Sequence, residues 1–107
     1  MTDITRAEVC AAACADAFRG DGEIMASPMG TLPALGARLA KMSFEPDLLL
    51  TDGVSSIIAN TPALGAPKSD NTIEGWMPYR LVFDTLWSGK RHVMMGATQI
   101  DQYGNQN

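Results

Sequence analysis

Residues 47–51 read Asp-Leu-Leu-Leu-Thr and are followed at once by Asp52-Gly53. A short run that is apolar at consecutive positions and is bounded by a turn is typical of a strand buried on both faces. Such strands occur in parallel sheets, whose crossover connections place helices against the sheet. This stretch therefore favours an α/β fold over an all-α or an all-β one.

The segments on either side of this strand alternate between helical and extended patterns. Thr5 and Glu8 have the capping-box spacing and predict the start of the first helix. The predicted helices are 5–18, 31–42 and 78–88, and the predicted strands are 23–26, 47–51, 54–59 and 92–95. Residues 60–75, rich in Pro and Gly, form a long irregular connection, of a kind that is usually functional. The alternation predicts an α/β fold with an open, mainly parallel sheet and helices packed on it.

Apolar spacing within the helices predicts which faces are buried. In the second helix Leu35, Leu39 and Met42 recur at helical spacing and are expected to face the core. In the third helix the inward residues are expected to be Leu81, Val82 and Leu86. The alanine-rich first helix is expected to lie close on the flat surface of the sheet.

Composition limits the class of protein and the kind of partner. The chain has 107 residues, of which 46% are hydrophobic and 19% charged, which is ordinary for one globular domain. The net charge of −4 comes without any Lys/Arg cluster and argues against nucleic acid or an anionic membrane as a partner. Neither a signal-peptide pattern nor a long apolar run is present, so we expect a cytoplasmic protein with no membrane span.

Cys10 and Cys14 stand four residues apart in the first predicted helix. They share a helix face, but helical geometry would strain a disulfide between them. The chain contains one His and no other Cys, so a metal site lacks further ligands of these types. We expect no metal, and we interpret the pair as small, buried helix residues.

Three loops follow strands that are predicted to be parallel, and ligands bind at that edge of such sheets. The loops are residues 27–30, 51–53 and 96–105. The candidate site residues in them are Ser27, Met29, Thr51, Asp52, Gly53, Gly96, Gln99 and Asn105. On its own, an Asp-Gly or Tyr-Gly-Asn stretch is more often a tight turn than part of a binding site. The amides of Gln99 and Asn105 either pin their own loop or hold a substrate carbonyl.

The run from His92 to Asn107, HVMMGATQIDQYGNQN, resembles the signature of β subunits of family I coenzyme A transferases. The order of the other segments agrees, so the resemblance covers essentially the whole chain. It implies that residues 1–107 are a single N-terminal portion of a CoA-transferase-like β-subunit domain. It also implies an acyl-CoA substrate, with coenzyme A as part of the substrate and no separate cofactor.

Two departures from the family pattern bear on the chemistry. The family's nucleophilic glutamate lies in an E-x-G turn after the second strand, where this chain has Thr51-Asp52-Gly53. Asp52 is one position along and one methylene shorter, and a nucleophile must lie near its target carbonyl. The family's glycine-rich G-x-G-x-P loop after the first strand is also changed, and the matching residues 26–30 read Ala-Ser-Pro-Met-Gly. Acyl transfer through a glutamyl thioester on this subunit is therefore not expected.

The segments TPALG, residues 61–65, and IEGWMP, residues 73–78, are similar to a particular branch of the superfamily. Its members are the two-subunit hydrolases that open steroid rings in actinobacterial cholesterol degradation. This resemblance implies hydrolysis of a carbon–carbon bond in a cyclic diketone acyl-CoA, as a heterodimer or heterotetramer. The principal carboxylate would come from the α subunit and Asp52 would support it, with Trp76 and Met77 beside the substrate.

Several alternatives remain open on the sequence alone. Asp52 either shapes a turn or orients a water, and Trp76 and Met77 either pack in the fold or cover an apolar substrate. His92 is expected to be structural. The whole protein is alternatively a CoA transferase of the glutaconate or 3-oxoacid type, or a non-catalytic ligand-sensing domain. We also expect further strands, either in sequence beyond Asn107 or in a separate piece packed beside the chain, which would give the strand at 92–95 a neighbour on each side.

Overall fold

The fold is known from a computed structural model, which describes residues 3–52 and 55–107. The described residues contain three α-helices, one 3-10 helix and five strands. The helices are α1 (Arg6–Asp16), α2 (Thr31–Ser43) and α3 (Tyr79–Trp87), and the 3-10 helix is Lys68–Asp70. The strands are β1 (Met25–Pro28), β2 (Leu49–Thr51), β3 (Ser56–Ile58), β4 (Ile73–Trp76) and β5 (Arg91–Met94).

The five strands form one mixed sheet in the order β4-β3-β2-β1-β5. β1 pairs in parallel with both β2 and β5, whereas β2, β3 and β4 form an antiparallel meander. The predicted α/β class is confirmed, and its parallel part is the three-stranded unit around β1. Strand β2 lies inside the sheet, as expected from the leucine run: Leu50 of β2 and Leu48, just before the strand, are both buried.

Strand β4 was missing from the sequence prediction, which gave residues 60–75 as irregular throughout. β4 lies at one edge of the sheet, and Ile73 and Trp76 are exposed. The sequence pattern of a strand is weak here for two reasons. An edge strand that packs little needs no alternation of apolar residues, and Glu74 and Gly75 have low strand propensity. The predicted strand 54–59 overlaps β3 at residues 56–58, whereas Ser55 and Ala59 lie outside the strand and Val54 lies outside the described residues.

Strand β1 begins two residues later than predicted and includes Ser27 and Pro28. Its pairing with β2 ends at Ala26↔Leu50, whereas its pairing with β5 continues to Pro28↔Met94. Proline is tolerated there because it is the last residue of the strand, where the ladder on the β2 side has already ended. The consequence is that Ser27 is held in the sheet.

Helix α1 packs mainly against α2, and the contact is made by small residues. Ala11, Ala15, Gly36, Ala37 and Ala40 are all buried. A Cβ atom added at Gly36 would lie 2.4 Å from Cβ of Cys14 and 2.9 Å from the backbone N of Ala15. The two helix backbones are therefore close together. Cys10 and Cys14 are free and half-buried, rather than fully buried as expected.

Two predictions about helix faces were wrong. α1 packs mainly on α2 rather than flat on the sheet. Leu35, Leu39 and Met42 of α2 are exposed by 42%, 43% and 73% of their surface. The glycine and alanines of α2 take the inner face because they permit an approach that leucines would block. Apolar spacing marks the larger side chains and does not show which face a neighbouring helix can approach most closely.

The core lies between this helix pair and the sheet, with α3 on the other face. Side chains alternate along β5: His92 contacts the ring of buried Phe18, and Met94 packs against the same core. Val93 instead points to a cavity lined by α3 residues. In α3, Leu81 and Val82 are half-buried as predicted, whereas Leu86 is 46% exposed.

We expect Gly36→Ala to lower the free energy of unfolding by about 1–3 kcal/mol, the usual cost of overpacking. The reason is the 2.4 Å approach of an added Cβ to Cys14. Urea denaturation followed by circular dichroism measures the change. Gly96→Ala is the matched control, because an added Cβ there meets no atom within 4 Å. Equal effects of the two substitutions would contradict the close helix contact.

Strand β5 is an edge of the sheet and pairs only with β1 among the described residues. The second neighbour expected for this strand is therefore not among them. That further strands pair with β5 stays a prediction.

Candidate functional site

The carboxyl ends of β1, β2 and β5 lie at one edge of the sheet, because these three strands are parallel. The backbone N–H of Met29 donates to the carbonyl of Met94 at 2.8 Å and joins two of these ends. Thr51 is the last residue of β2 and Ser27 is the next-to-last residue of β1, so both lie at these carboxyl ends. The three strand-end loops were predicted to share one rim. That rim corresponds to the carboxyl ends of the parallel strands β1, β2 and β5.

Ser27 and Thr51 meet at the rim through their hydroxyl groups. The two oxygens are 3.2 Å apart, and the Thr51 hydroxyl donates to the carbonyl of Ala26 at 2.9 Å. Ser27 is 1% exposed and Thr51 is 6% exposed. A glutamate at position 51 has no proton to donate to Ala26 when ionised, and it would be buried as a charge. The local structure therefore suits the threonine and not a nucleophilic carboxylate.

Asp52 closes the connection between β2 and β3. Its Oδ1 accepts hydrogen bonds from the amides of Ser55, at 3.0 Å, and Ser56, at 3.2 Å. Its own amide donates to the carbonyl of Ser56 at 3.0 Å. Asp52 thus shapes a turn, one of its two predicted roles, and its carboxylate also borders a cavity. Gly53, predicted to bind substrate, lies outside the described residues.

The cavity beside Asp52 has a volume of about 190 Å³ and lies between α2 and the connection that follows β3. Its polar lining includes Thr51, Asp52, Arg38 and Lys68. Asp52 and Arg38 both line this small space, and a carboxylate with a guanidinium can orient a water molecule and hold a carbonyl or anionic oxygen. This cavity is the candidate active site of the chain.

Arg38 is a site residue that the sequence prediction missed. Its Nε donates to the carbonyl of Pro62 at 2.8 Å and its Nη1 donates to that of Ala34 at 3.1 Å. Burial lowers the pKa of the Arg38 guanidinium from its ordinary value. The available signal was its position one turn after Ala34, beside the buried small residues of α2.

Arg91, at the start of β5, was also missed and is only 5% exposed. Burial lowers the pKa of its guanidinium, and the charge of Asp52 acts in the opposite direction and raises it. The carboxylate of Asp52 therefore helps to keep a buried cation charged beneath the rim. One signal was available, a basic residue next to a predicted strand, but solvent exposure was the simpler interpretation of that residue.

The loop after β5 is closed by its own hydrogen bonds. Asp101 accepts from the amides of Tyr103, at 2.9 Å, and Asn105, at 2.8 Å, and from the side-chain Nδ2 of Asn105, at 2.9 Å. Nδ2 of Asn107 donates to Oε1 of Gln99 at 2.9 Å. Of the two roles predicted for Gln99 and Asn105, the structure shows the pinning of their own loop. Asp101, which organises the loop, was not predicted.

We expect this loop to loosen in acid. The Asn105 side chain, with backbone amides of the loop, lowers the pKa of Asp101 below its usual value. A lowered pKa means that the carboxylate stabilises the loop above the ordinary value of about 3.9 and that this contribution is lost as the pH falls through the lowered pKa. Asn105→Ala should raise the pKa of Asp101, as followed by carbon-13 NMR of the carboxyl group. Asn107→Ala, which removes a bond to Gln99 instead, should leave that pKa unchanged; equal shifts would contradict the assignment.

The remaining predicted residues divide between packing and exposure. Met77 is 7% exposed and its amide donates to the carbonyl of Ser55 at 3.0 Å, beside the Asp52 turn. Trp76 is 68% exposed at the β4 edge, and Met29 is 46% exposed at the end of β1. His92 is structural as predicted, with Nδ1 2.6 Å from Oδ2 of Asp21. Gly96 is exposed, with open space around its Cα.

No group of three or more His, Cys, Asp or Glu side chains within 3–52 and 55–107 is arranged to hold a metal ion. None of the helices in the same residues has the length and apolar character needed to cross a membrane.

The mixed sheet, with its parallel unit ending at the rim, defines an α/β protein whose fold is shared with a solved structure. No protein-family model matches the chain. The chain is 64% identical over 107 residues to the cholesterol ring-cleaving hydrolase IpdB subunit of Rhodococcus jostii strain RHA1, covering 100% of this chain and 41% of the relative. It is 61% identical over 103 residues to the IpdB subunit of Mycobacterium tuberculosis strain H37Rv, covering 96% and 41%.

The crystal structure of Rhodococcus jostii RHA1 IpdAB superimposes on the fold with a TM-score of 0.86. The match has 65% sequence identity and covers 99% of this chain and 42% of that one. These comparisons confirm the resemblance drawn from the sequence: the chain is related over its whole length to IpdB subunits of the steroid-ring-cleaving branch. The chain spans about two fifths of the length of the curated relatives it matches.

Proposed function

We propose that the chain is part of the β subunit of a two-subunit hydrolase that opens a ring of a steroid-derived cyclic diketone acyl-CoA. The observation that carries this proposal is the 64% identity over all 107 residues to a subunit named as a cholesterol ring-cleaving hydrolase. The matched region includes the rim with Ser27, Thr51 and Asp52. The partner is an α subunit of the same enzyme, in a heterodimer or a heterotetramer.

The proposed reaction adds water across a carbon–carbon bond. The oxygen of water bonds to a ring carbonyl carbon, the bond to the neighbouring carbon breaks, and that carbon leaves as an enolate stabilised by the second carbonyl. The enolate takes up a proton, and the products are a new carboxylate and a ketone in one opened chain. The reaction needs a general base for water and hydrogen-bond donors for the developing oxyanions.

The residues of this chain supply supporting roles in that reaction. Asp52 orients the water or the principal carboxylate, which the α subunit contributes. Arg38 lines the same cavity and offers positive charge to a developing oxyanion. Coenzyme A is carried as part of the substrate and no separate cofactor takes part. A coenzyme A thioester substrate places the enzyme in the cytoplasm.

An isotope experiment distinguishes ring hydrolysis from acyl transfer. The complete assembly is incubated with a cyclic 1,3-diketone acyl-CoA in water enriched in oxygen-18, and the product is examined by mass spectrometry. We expect one heavy oxygen in the new carboxylate and an intact thioester. Hydroxylamine or borohydride should trap no enzyme-bound ester, because Thr51 stands at the nucleophile's place. A modified Asp52, or release of free coenzyme A with acyl exchange, would support the transferase instead.

The role of Asp52 is tested by two substitutions in the complete assembly. Asp52→Asn keeps an Oδ1 acceptor for the amides of Ser55 and Ser56 but removes the charge. We expect kcat to fall about tenfold, below the 10²–10⁴-fold contribution typical of a principal general base. Asp52→Ala removes the acceptor too and should also lower the melting temperature. A loss of 10⁴-fold in the asparagine variant would make Asp52 the principal base and contradict the supporting role.

A further inference from the structure

A second cavity, of about 290 Å³, lies between α3 and β5 on the face of the sheet opposite the α1–α2 pair. Its walls are almost entirely apolar. They include Val82, Phe83 and Leu86 from α3, and Val93 and Met95 from β5 and the residue after it, together with one charged residue, Arg91. Neither the rim chemistry nor the resemblance assigns this space a role.

The charged residue gives the cavity a polar end. Arg91 and Val93 lie on the same face of β5, and Arg91 is 5% exposed. Val93 is the register partner of Ser27 across the β1–β5 pairing, so Ser27 shares this face. Ser27 in turn contacts Thr51, the residue before Asp52. Ser27, Thr51 and Asp52 do not themselves line the cavity, whereas Met29, the residue after β1, does.

Apolar walls with one fixed polar group are the usual composition of a small-molecule site, in which the polar group sets the orientation. The volume is close to the lower end of the 300–1,000 Å³ that is typical of ligand pockets. That space suits one or two fused saturated rings and is too small for a whole four-ring sterol. A guanidinium pairs well with a carboxylate, and its N–H groups also donate hydrogen bonds to a carbonyl oxygen.

We propose that this cavity binds a small fused-ring portion of an apolar ligand, with a carboxylate or ketone oxygen of the ligand directed to Arg91. The inference rests on the proposed function in one respect: it makes the ligand the ring portion of the acyl-CoA substrate. Binding itself does not depend on turnover.

The test measures binding of two matched probes to the complete purified assembly by isothermal titration calorimetry. The probes are decahydronaphthalene-2-carboxylate and decahydronaphthalene-2-methanol, which share the fused rings and differ in charge. We expect the carboxylate to bind at least tenfold more tightly than the alcohol. Arg91→Met should abolish this preference. Because removing a buried arginine can also disturb folding, the cavity walls are tested separately.

Val93→Phe and Val82→Phe fill the cavity without changing its charge, and each should weaken carboxylate binding at least tenfold. Trp87→Phe is the control on the same helix: Trp87 is 89% exposed and does not line the cavity. Circular dichroism establishes that each variant is folded. Undetectable carboxylate binding, as when another protein segment fills the space, overturns the proposal. Equal affinity for the two probes also overturns the proposal, as does unchanged carboxylate binding in both Val93→Phe and Val82→Phe.

Kinetics separate this proposal from the proposed function. If the assembly opens no diketone ring but the binding pattern holds, the proposed function is wrong and the ring site stands. If the ring opens and Val93→Phe leaves KM unchanged, the site is wrong and the proposed function stands. We expect ring opening with a KM raised at least tenfold in Val93→Phe and unchanged in Trp87→Phe.

Discussion

The chain purified without a partner is expected to turn over acyl-CoA at least a thousandfold more slowly than the complete assembly. Thr51 occupies the position of the family's nucleophile, and Oδ1 of Asp52 accepts two backbone hydrogen bonds in a turn. A principal general base contributes 10²–10⁴-fold to such a reaction, and a donor for the oxyanion contributes a further factor of about 10²–10³. The principal base is proposed to come from the α subunit, whereas this chain offers Arg38 as an oxyanion donor.

The measurement is the rate of disappearance of the cyclic diketone acyl-CoA with each subunit alone and with both together. Adding the separately purified α subunit should restore turnover, which controls for a misfolded preparation. Sustained hydrolysis by this chain alone would contradict a site shared between subunits.

Phe18→Ala is expected to lower the free energy of unfolding by about 3–5 kcal/mol, the usual cost of removing a fully buried aromatic ring. Phe18 is 0% exposed, and its ring centroid is 4.5 Å from that of His92. It joins the segment after α1 to the underside of β5, so the cavity left behind lies between two layers of the fold. Urea denaturation of the purified protein measures the change.

Trp87→Ala serves as the control for loss of an aromatic side chain. Trp87 is 89% exposed, so its substitution should change the free energy of unfolding by no more than about 0.5 kcal/mol. A loss of less than 1 kcal/mol in Phe18→Ala would show that the residue is not part of the cooperative core.

Local patterns in the sequence were sufficient for much of the fold. The leucine run predicted an inner strand, and Thr5 and Glu8 predicted the capping box, in which Thr5 N–H donates to Glu8 and Glu8 N–H donates to Thr5. These features act over a few residues. Strand β4 was missed because its pairing with β3, and not its own composition, makes it a strand. The inner face of α2 was misjudged because it depends on how closely α1 can approach.

The same distinction applies to the candidate site. Ser27, Thr51 and Asp52 could be predicted because polar residues that end parallel strands must share an edge. Arg38 and Arg91 could not, because burial of a charged side chain depends on packing between distant segments. Arg38 bonds to the carbonyl of Pro62 in the connection after β3. Arg91 is influenced by the charge of Asp52, which lies in the connection after β2.

The self-bonded loop after β5 has a consequence for affinity. Ile100 pairs with Gln106, and the Asp101 carboxylate gathers the amides of Tyr103 and Asn105. A flexible loop loses conformational entropy when it binds, and that loss subtracts from the free energy of association. Because this loop is ordered by its own hydrogen bonds, little entropy remains to be lost on contact with another molecule. A given contact with the loop therefore contributes more to affinity than the same contact with a loop that must first be ordered.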